Sequence, residues 1–229
     1  EYTPLVRFLP VDLLYLIVLG VVIGVLAELY TRYVVRMQSL GQRFFSGKIV
    51  VRMLLGGIAL GCLYAALPSD FRNNAALQHA IVDGHVELSK AVGIFTLLFF
   101  ATGLAAATGA PGGLFAPMLT LGGALGLTAA GIAEHLSGHA PSTYVFAGMA
   151  AFIAACSRTP ITAVFLVFAL TKDLLILKPL FVCAVVSFVI SRITHEHSIY
   201  QRQLAIQSSS TSTQGEMKLP GTPLSPRDL

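Results

Sequence analysis

A glycine- and proline-rich loop between two apolar segments is predicted to expose backbone amides that could bind an anion. Residues 108–119 read Thr-Gly-Ala-Pro-Gly-Gly-Leu-Phe-Ala-Pro-Met-Leu. The proline Pro117 suits the first turn of a helix, so the N–H groups of Leu114 and Phe115 are predicted to lie free at a helix N-terminus, which attracts anions. A glycine hinge that serves only close packing explains the same spacing. Three glycines permit either arrangement of the backbone: Gly109, Gly112 and Gly113.

The composition places this loop in a membrane protein. Only 11% of the 229 residues are charged and 55% are hydrophobic, whereas a soluble domain carries about 25% charged residues. The chain is therefore predicted to be an all-α integral membrane protein. In hydrocarbon an interrupted helix survives only where protein or a water-filled cavity covers its unpaired backbone groups. We therefore expect the loop to lie inside the protein.

The apolar segments that position the loop differ in length. Two of them, 144–156 and 161–170, are too short to cross a hydrocarbon core about 30 Å thick. A longer helix is predicted over 174–193, and a short final helix over about 198–207. Tilted, re-entrant and broken helices of this kind are typical of transporter and channel cores. Four further apolar segments are predicted to be helices: 12–28, 49–67, 91–107 and 118–133.

Four motifs together resemble one known family. Residues 113–117, Gly-Leu-Phe-Ala-Pro, match the Gly-x-Phe-x-Pro signature of the CLC chloride channels and transporters. Residues 146–151 and 158–162 resemble the two short helices that follow in that family, and 198–200, Ser-Ile-Tyr, resembles the start of its last helix. Order and spacing agree over about residues 10–207. The chain thus resembles the C-terminal half of a prokaryotic-type CLC subunit without CBS domains.

The resemblance implies an anion site. In CLC proteins, two amides of the signature segment and a tyrosine hydroxyl hold the central anion; by motif these are the amides of Leu114 and Phe115 and the hydroxyl of Tyr200. Partial charges suit this role, because conduction needs binding weak enough for release. Without the resemblance, Tyr200 is more simply explained as a tyrosine of the interfacial belt. The loop glycines and the proline support the site: Gly109, Gly112, Gly113 and Pro117.

The resemblance also implies a multi-helix CLC-like core with tilted, re-entrant and broken helices. The chain would contain the second inverted repeat plus the last helix of the first, so the partner of this chain is the missing N-terminal half of the same subunit. A transmembrane domain is expected over 1–207 and a disordered Ser/Thr/Pro-rich tail over 208–229. This sequence has Ala169 where the family usually has Glu, which leaves permeation possible but affects local packing or gating.

The predicted function is selective chloride transport, as chloride/proton antiport, by a multi-pass protein of the cell membrane. By resemblance we expect a homodimer in membrane lipid, each subunit with its own pore, and a dimer face formed by residues 11–30 and 161–192. Three alternatives stay open. They are a passive voltage-gated chloride channel, a transporter of another anion such as nitrate or fluoride, and a non-transporting membrane subunit.

Other functional classes lack support in the sequence. No nucleophile–base pair or phosphate-binding lysine motif indicates an enzyme, so we expect no catalytic residue, no metal and no cofactor, with chloride as the substrate. The net charge of +4 is scattered, which argues against binding of nucleic acid. The three cysteines are expected to be small buried hydrophobic residues: Cys62, Cys156 and Cys183.

Several basic residues have competing explanations. Arg158 lies between the two short helices and is expected to anchor carbonyl groups at a helix C-terminus or to reach outward, not to bind the anion. The basic run from Arg32 to Arg52 either marks a cytoplasmic loop or concentrates anions at an outer mouth. His195, Glu196 and His197 lie in a polar hinge, where solvated side chains are expected.

Overall fold

The computed structural model describes residues 10–44, 49–65, 88–108, 114–137, 143–194 and 199–204. The regular structure of these residues is helical, as predicted. The helices are α1 (Pro10–Phe44), α2 (Ile49–Ala65), α3 (Leu88–Thr108), α4 (Phe115–Ser137), α5 (Thr143–Ser157), α6 (Pro160–Thr171) and α7 (Leu177–Thr194), with a 3-10 turn at Leu174–Ile176. Residues 199–204 form a last helical segment, α8. The predicted tail over 208–229 lies outside the described residues.

The helices differ in length, and two of the shorter ones, α5 and α6, are consecutive in the chain. At a rise of 1.5 Å per residue, the 15 residues of α5 and the 12 of α6 extend about 22 Å and 18 Å. Both are shorter than a hydrocarbon core of about 30 Å, as the sequence predicted. In the part of the chain that the structure describes, four segments are long and apolar enough to cross a membrane: Leu13–Phe44, Ala91–Thr108, Phe115–Ala133 and Leu174–Leu204.

The first helix is longer than predicted. The sequence predicted a span ending at Glu28 and a basic connection after it, but α1 continues to Phe44 and carries Arg32, Arg36 and Arg43. Of the two explanations of the basic run, the cytoplasmic loop is therefore wrong for these three arginines, and the concentration of anions at an outer mouth stays a prediction. Arginine is a good helix former, and no proline follows Pro10 before residue 68, so nothing in the sequence ends the helix earlier.

Helix α5 forms the centre of the fold. Its side chains from Thr143 to Cys156 are buried, except that of Phe146, and it packs against α1, α4, α6 and α7. A helix that is apolar on every side is expected to be buried on every side. Its contact with α4 is backbone to backbone, because a Cβ added at Gly122 would lie 2.5 Å from the carbonyl oxygen of Gly148. Small residues permit such an approach between membrane helices.

Two serines of α7 bind α5 directly. The Ser187 hydroxyl donates to the carbonyl of Ala151 at 2.8 Å, and the Ser191 hydroxyl donates to the carbonyl of Ala155 at 3.1 Å. Both serines are buried. The two serines are four residues apart on α7 and the two alanines are four residues apart on α5, so the two bonds lie about one helical turn apart. The pair of bonds fixes the register of α7 along α5.

The cysteines divide between core and surface. Cys156 and Cys183 are buried, as predicted, whereas Cys62 is exposed. The prediction for Cys62 was wrong because α2 packs mainly against α3, which leaves its other faces uncovered by the described residues. An apolar sequence inside a membrane helix therefore does not establish burial, since lipid accepts the same side chains.

Candidate functional site

The start of α4 is the first part of the predicted site. Helix α4 begins at Phe115, and its first backbone bond runs from the N–H of Met118 to the carbonyl of Leu114 at 3.1 Å. The N–H groups of residues 114–116 therefore precede the hydrogen-bond ladder of the helix. Pro117, in the first turn, has no N–H to leave unpaired. The helix thus presents the amides of Leu114 and Phe115 at its positive end.

The side chains at this helix start leave part of its surface open. Leu114 and Pro117 are half-buried, and Phe115 is 38% exposed in this chain. Apolar side chains beside free amides lower the local dielectric, which strengthens each hydrogen bond formed there. The supporting glycines Gly109, Gly112 and Gly113 lie outside the described residues.

The second part of the predicted site is Tyr200 on α8. Its side chain is 41% exposed, whereas the preceding Ile199 is fully buried. Tyr200 lies close enough to Tyr30 and Cys156 for their polar groups to interact electrostatically. The structure therefore places Tyr200 beside α1 and α5. That the Tyr200 hydroxyl and the α4 amides bind one anion together stays a prediction.

Tyr30, which interacts electrostatically with Tyr200, packs against two aromatic rings of other helices. Its side chain is fully buried. Its ring meets Phe152 of α5 edge-on at 5.5 Å between centroids, and Phe99 of α3 at 5.7 Å. Edge-to-face aromatic pairs of this kind add about 0.5–1.5 kcal/mol to the burial of their area. These ring contacts join α1, α3 and α5.

A buried carboxylate that the sequence analysis missed lies nearby. The Glu28 side chain is 4% exposed and faces three guanidinium groups. Arg202 Nη2 lies 3.0 Å from Oε1 and 3.4 Å from Oε2, and Arg32 Nε lies 3.0 Å from Oε1. Arg158 Nη2 lies 3.7 Å from Oε2. We call these four residues the Glu28 cluster, and it joins α1, α8 and the junction between α5 and α6.

Arg158 anchors a carbonyl at a helix C-terminus, as the sequence predicted. Its Nη2 donates to the carbonyl of Ser191 in the last turn of α7 at 3.1 Å. Its own N–H closes α5 by donating to the carbonyl of Ala154 at 3.1 Å. The backbone of Arg158 has a φ of 65°, a left-handed conformation that costs a non-glycine residue about 1–2 kcal/mol. The guanidinium contacts offset that cost.

Part of this cluster has a signal in the sequence. Glu28 and Arg32 are four residues apart on an apolar helix, a spacing typical of ion pairs, and an ionisable residue inside a membrane segment indicates a functional site. Arg202 has no such signal, because it is 174 residues from Glu28 in the chain. Only the packing of α8 against α1 brings these two together.

Ala169, which stands where the family usually has Glu, does not belong to the Glu28 cluster. Ala169 is exposed near the end of α6, where the helix stops as the N–H of Lys172 donates to the carbonyl of Phe168 at 2.7 Å. A larger acidic side chain at position 169 would face outward from the described residues. The alanine therefore leaves the packing of α5 unchanged.

Comparison with known proteins indicates the same family that the sequence motifs resemble. The sequence model of a family described as "Voltage gated chloride channel" matches residues 2–192. The fold is similar to that of a slow cyanobacterial Cl−/H+ antiporter, with a TM-score of 0.78 and 22% identity over 92% of this chain and 50% of that one. It is also similar to a eukaryotic CLC transporter, with a TM-score of 0.69 and 19% identity over 90% of this chain and 36% of that one. The chain thus spans half of the first protein and less of the second.

Proposed function

Because this chain belongs to the voltage-gated chloride channel family, we propose that it is the C-terminal half of a subunit that moves chloride across a membrane. It is a multi-pass integral membrane protein with the helical fold of CLC transporters. The observation that carries the proposal is the start of α4, where the amides of Leu114 and Phe115 precede the helix ladder. No charged side chain is needed to make this an anion site.

The proposed mechanism uses partial charges to replace the water around chloride. The first amides of α4 donate from one side, aided by the helix dipole, which is equivalent to about half a positive charge. The Tyr200 hydroxyl donates from the other side. These donors are fixed before the ion arrives, so binding requires little rearrangement of the protein. Because none of them carries a full charge, the ion is also released readily.

We propose chloride/proton antiport in preference to passive conduction. The support is the likeness in fold to a protein described as a Cl−/H+ antiporter. The family's description as a chloride channel favours the passive alternative. One assay separates them: the complete protein is reconstituted in liposomes with a chloride gradient, and the interior pH is followed. Antiport couples chloride movement down its gradient to proton movement in the opposite direction, so the interior pH changes. A channel moves chloride without moving protons.

We further propose a homodimer whose face includes residues 11–30 and 161–192. This is supported by two exposed apolar side chains of α7 that lie four residues apart within that range, Val185 and Val189. Side chains four apart lie on one face of a helix. The particle mass of the purified protein by light scattering tests the proposal. A mass of one subunit after subtraction of detergent would contradict it.

The site itself is tested through the Tyr200 hydroxyl. Hydrogen bonds to charged groups contribute about 1.5–3 kcal/mol, so Tyr200→Phe should weaken chloride binding at least about tenfold. Isothermal titration of chloride into the complete protein measures this. Tyr33→Phe is the matched control, since it removes a hydroxyl that makes a 3.4 Å contact with the carbonyl of Phe100. Equal affinity in all three proteins would count against the proposed site, and titration with nitrate and fluoride identifies the preferred anion.

A further inference from the structure

We propose that Glu28 is a positioning residue for Tyr200, because its carboxylate binds Arg202 and thereby fixes the segment that carries the tyrosine. The inference rests on the proposed function, in which the Tyr200 hydroxyl is an anion ligand. It assigns a role to a carboxylate that neither touches the anion nor belongs to the loop at the start of α4.

The pair between Glu28 and Arg202 is buried and has good geometry. The side chains are 4% and 15% exposed, and one guanidinium nitrogen reaches both carboxylate oxygens, at 3.0 and 3.4 Å. Exposed ion pairs are weakened by solvent and salt, whereas buried pairs are screened much less. Removal of one partner of a buried pair leaves an uncompensated charge. The pair therefore holds α8 in one place on α1.

Tyr200 lies between two fixed points of α8. Ile199 is fully buried, and Arg202 is held by the carboxylate, so the tyrosine between them has little freedom to shift. Successive helical residues are rotated by about 100°, which places positions 200 and 202 about 200° apart around the axis. Because both side chains belong to one short helical segment, the bond between Glu28 and Arg202 limits rotation of that segment and thereby fixes the direction of Tyr200.

The other two arginines of the Glu28 cluster do not perform this task. Arg32 lies on α1 itself, one turn from Glu28, and its side chain is 45% exposed, so it ties no second element to the carboxylate. Arg158 stands further off, at 3.7 Å, and uses the same nitrogen to hold the carbonyl of Ser191. Arg202 alone among the three belongs to the segment that bears Tyr200.

The test is titration of chloride into the complete purified protein and its variants. We expect Arg202→Gln to weaken chloride binding about tenfold, equivalent to about 1.4 kcal/mol. Arg202→Lys keeps the charge and should restore affinity to within about threefold of wild type, about 0.65 kcal/mol. Arg32→Gln is the matched control: it removes a guanidinium from the same carboxylate but leaves α8 tied, so its affinity should equal that of wild type.

A double variant distinguishes positioning from a general loss of structure. If Arg202 acts through the hydroxyl, Arg202→Gln combined with Tyr200→Phe should bind chloride as Tyr200→Phe does alone. Effects that multiply would overturn the inference, as would wild-type affinity in Arg202→Gln. Should Arg202→Gln fail to purify as a monodisperse particle, Glu28→Asp decides: it retracts the carboxylate while keeping its charge, and unchanged affinity in it contradicts the inference.

The outcome also separates this inference from the proposed function. Loss of affinity in Tyr200→Phe together with wild-type affinity in Arg202→Gln overturns the role of Glu28 and leaves the anion site intact. Wild-type protein that binds no chloride, or a Tyr200→Phe variant that binds it normally, overturns the proposed site and the positioning role with it.

Discussion

The contact between α4 and α5 predicts a large effect of a single methyl group. In Gly148→Ala, the added Cβ would lie 2.9 Å from both the Cα and the N of Gly126, and closer still to the carbonyl oxygen of Gly122. Ordinary contact begins at 3.4 Å, so the helices must separate by at least about 0.5 Å to relieve the two longer contacts, and further to relieve the contact with the carbonyl oxygen. The obstructing atoms are backbone and have no rotamer to change.

The magnitude follows from two opposing terms. Overpacking in a tight core costs about 1–3 kcal/mol, and the better helix propensity of alanine returns about 1 kcal/mol. Because the clash is with backbone on three atoms, we expect the upper part of the first range. The free energy of unfolding of Gly148→Ala should therefore fall by about 2 kcal/mol.

Equilibrium unfolding of the complete protein in a denaturing detergent measures this difference. Gly57→Ala is the control, because a Cβ at Gly57 has nothing within 4 Å among the described residues and should leave stability equal or raised. A Gly148→Ala protein as stable as wild type would show that α4 and α5 do not touch through their backbones. A loss of equal size in Gly57→Ala would show that the assay does not report helix packing.

Three further predictions concern local contacts and use the same unfolding assay. Ser187→Ala removes the 2.8 Å bond to the carbonyl of Ala151 and should lower stability by about 0.6 kcal/mol, the mean for such bonds in membranes; a loss of several times that size would contradict it. Lys172→Gly relieves a φ of 55° at the end of α6 and should raise stability by about 1 kcal/mol, whereas Asp173→Ala removes the acceptor for the Leu175 N–H at 2.9 Å and should lower it by about 1 kcal/mol. A change of the opposite sign in Lys172→Gly or in Asp173→Ala contradicts the explanation of that variant.

The positions of the helices after the glycine- and proline-rich loop could be predicted, because the prolines that favour a helix start are followed by apolar runs. Pro117 and Pro160 lie in the first turns of α4 and α6, and the apolar runs that follow are uninterrupted. Arg158 lies between α5 and α6, as its charge beside a proline indicates. The lengths of these segments also identified the helices that are too short to span a membrane.

Tertiary contacts could not be predicted in the same way. Gly56 and Gly57 are adjacent in a sequence that favours close packing of both, yet Gly56 abuts the Thr108 side chain and Gly57 meets nothing within 4 Å among the described residues. Only the orientation of α2 against α3 decides between them. The same holds for Glu28: its apolar surroundings are evident in the sequence, but its partner Arg202 is not.

The claim on which the account depends is that free amides at the start of α4 and the Tyr200 hydroxyl share one anion. Crystals of the complete protein grown in bromide test it directly, because bromide replaces chloride and gives an anomalous signal. We predict a peak within about 3.5 Å of the amide nitrogens of Leu114 and Phe115 and of the Tyr200 oxygen. A peak elsewhere, or Tyr200 turned away from an occupied α4 site, would contradict it.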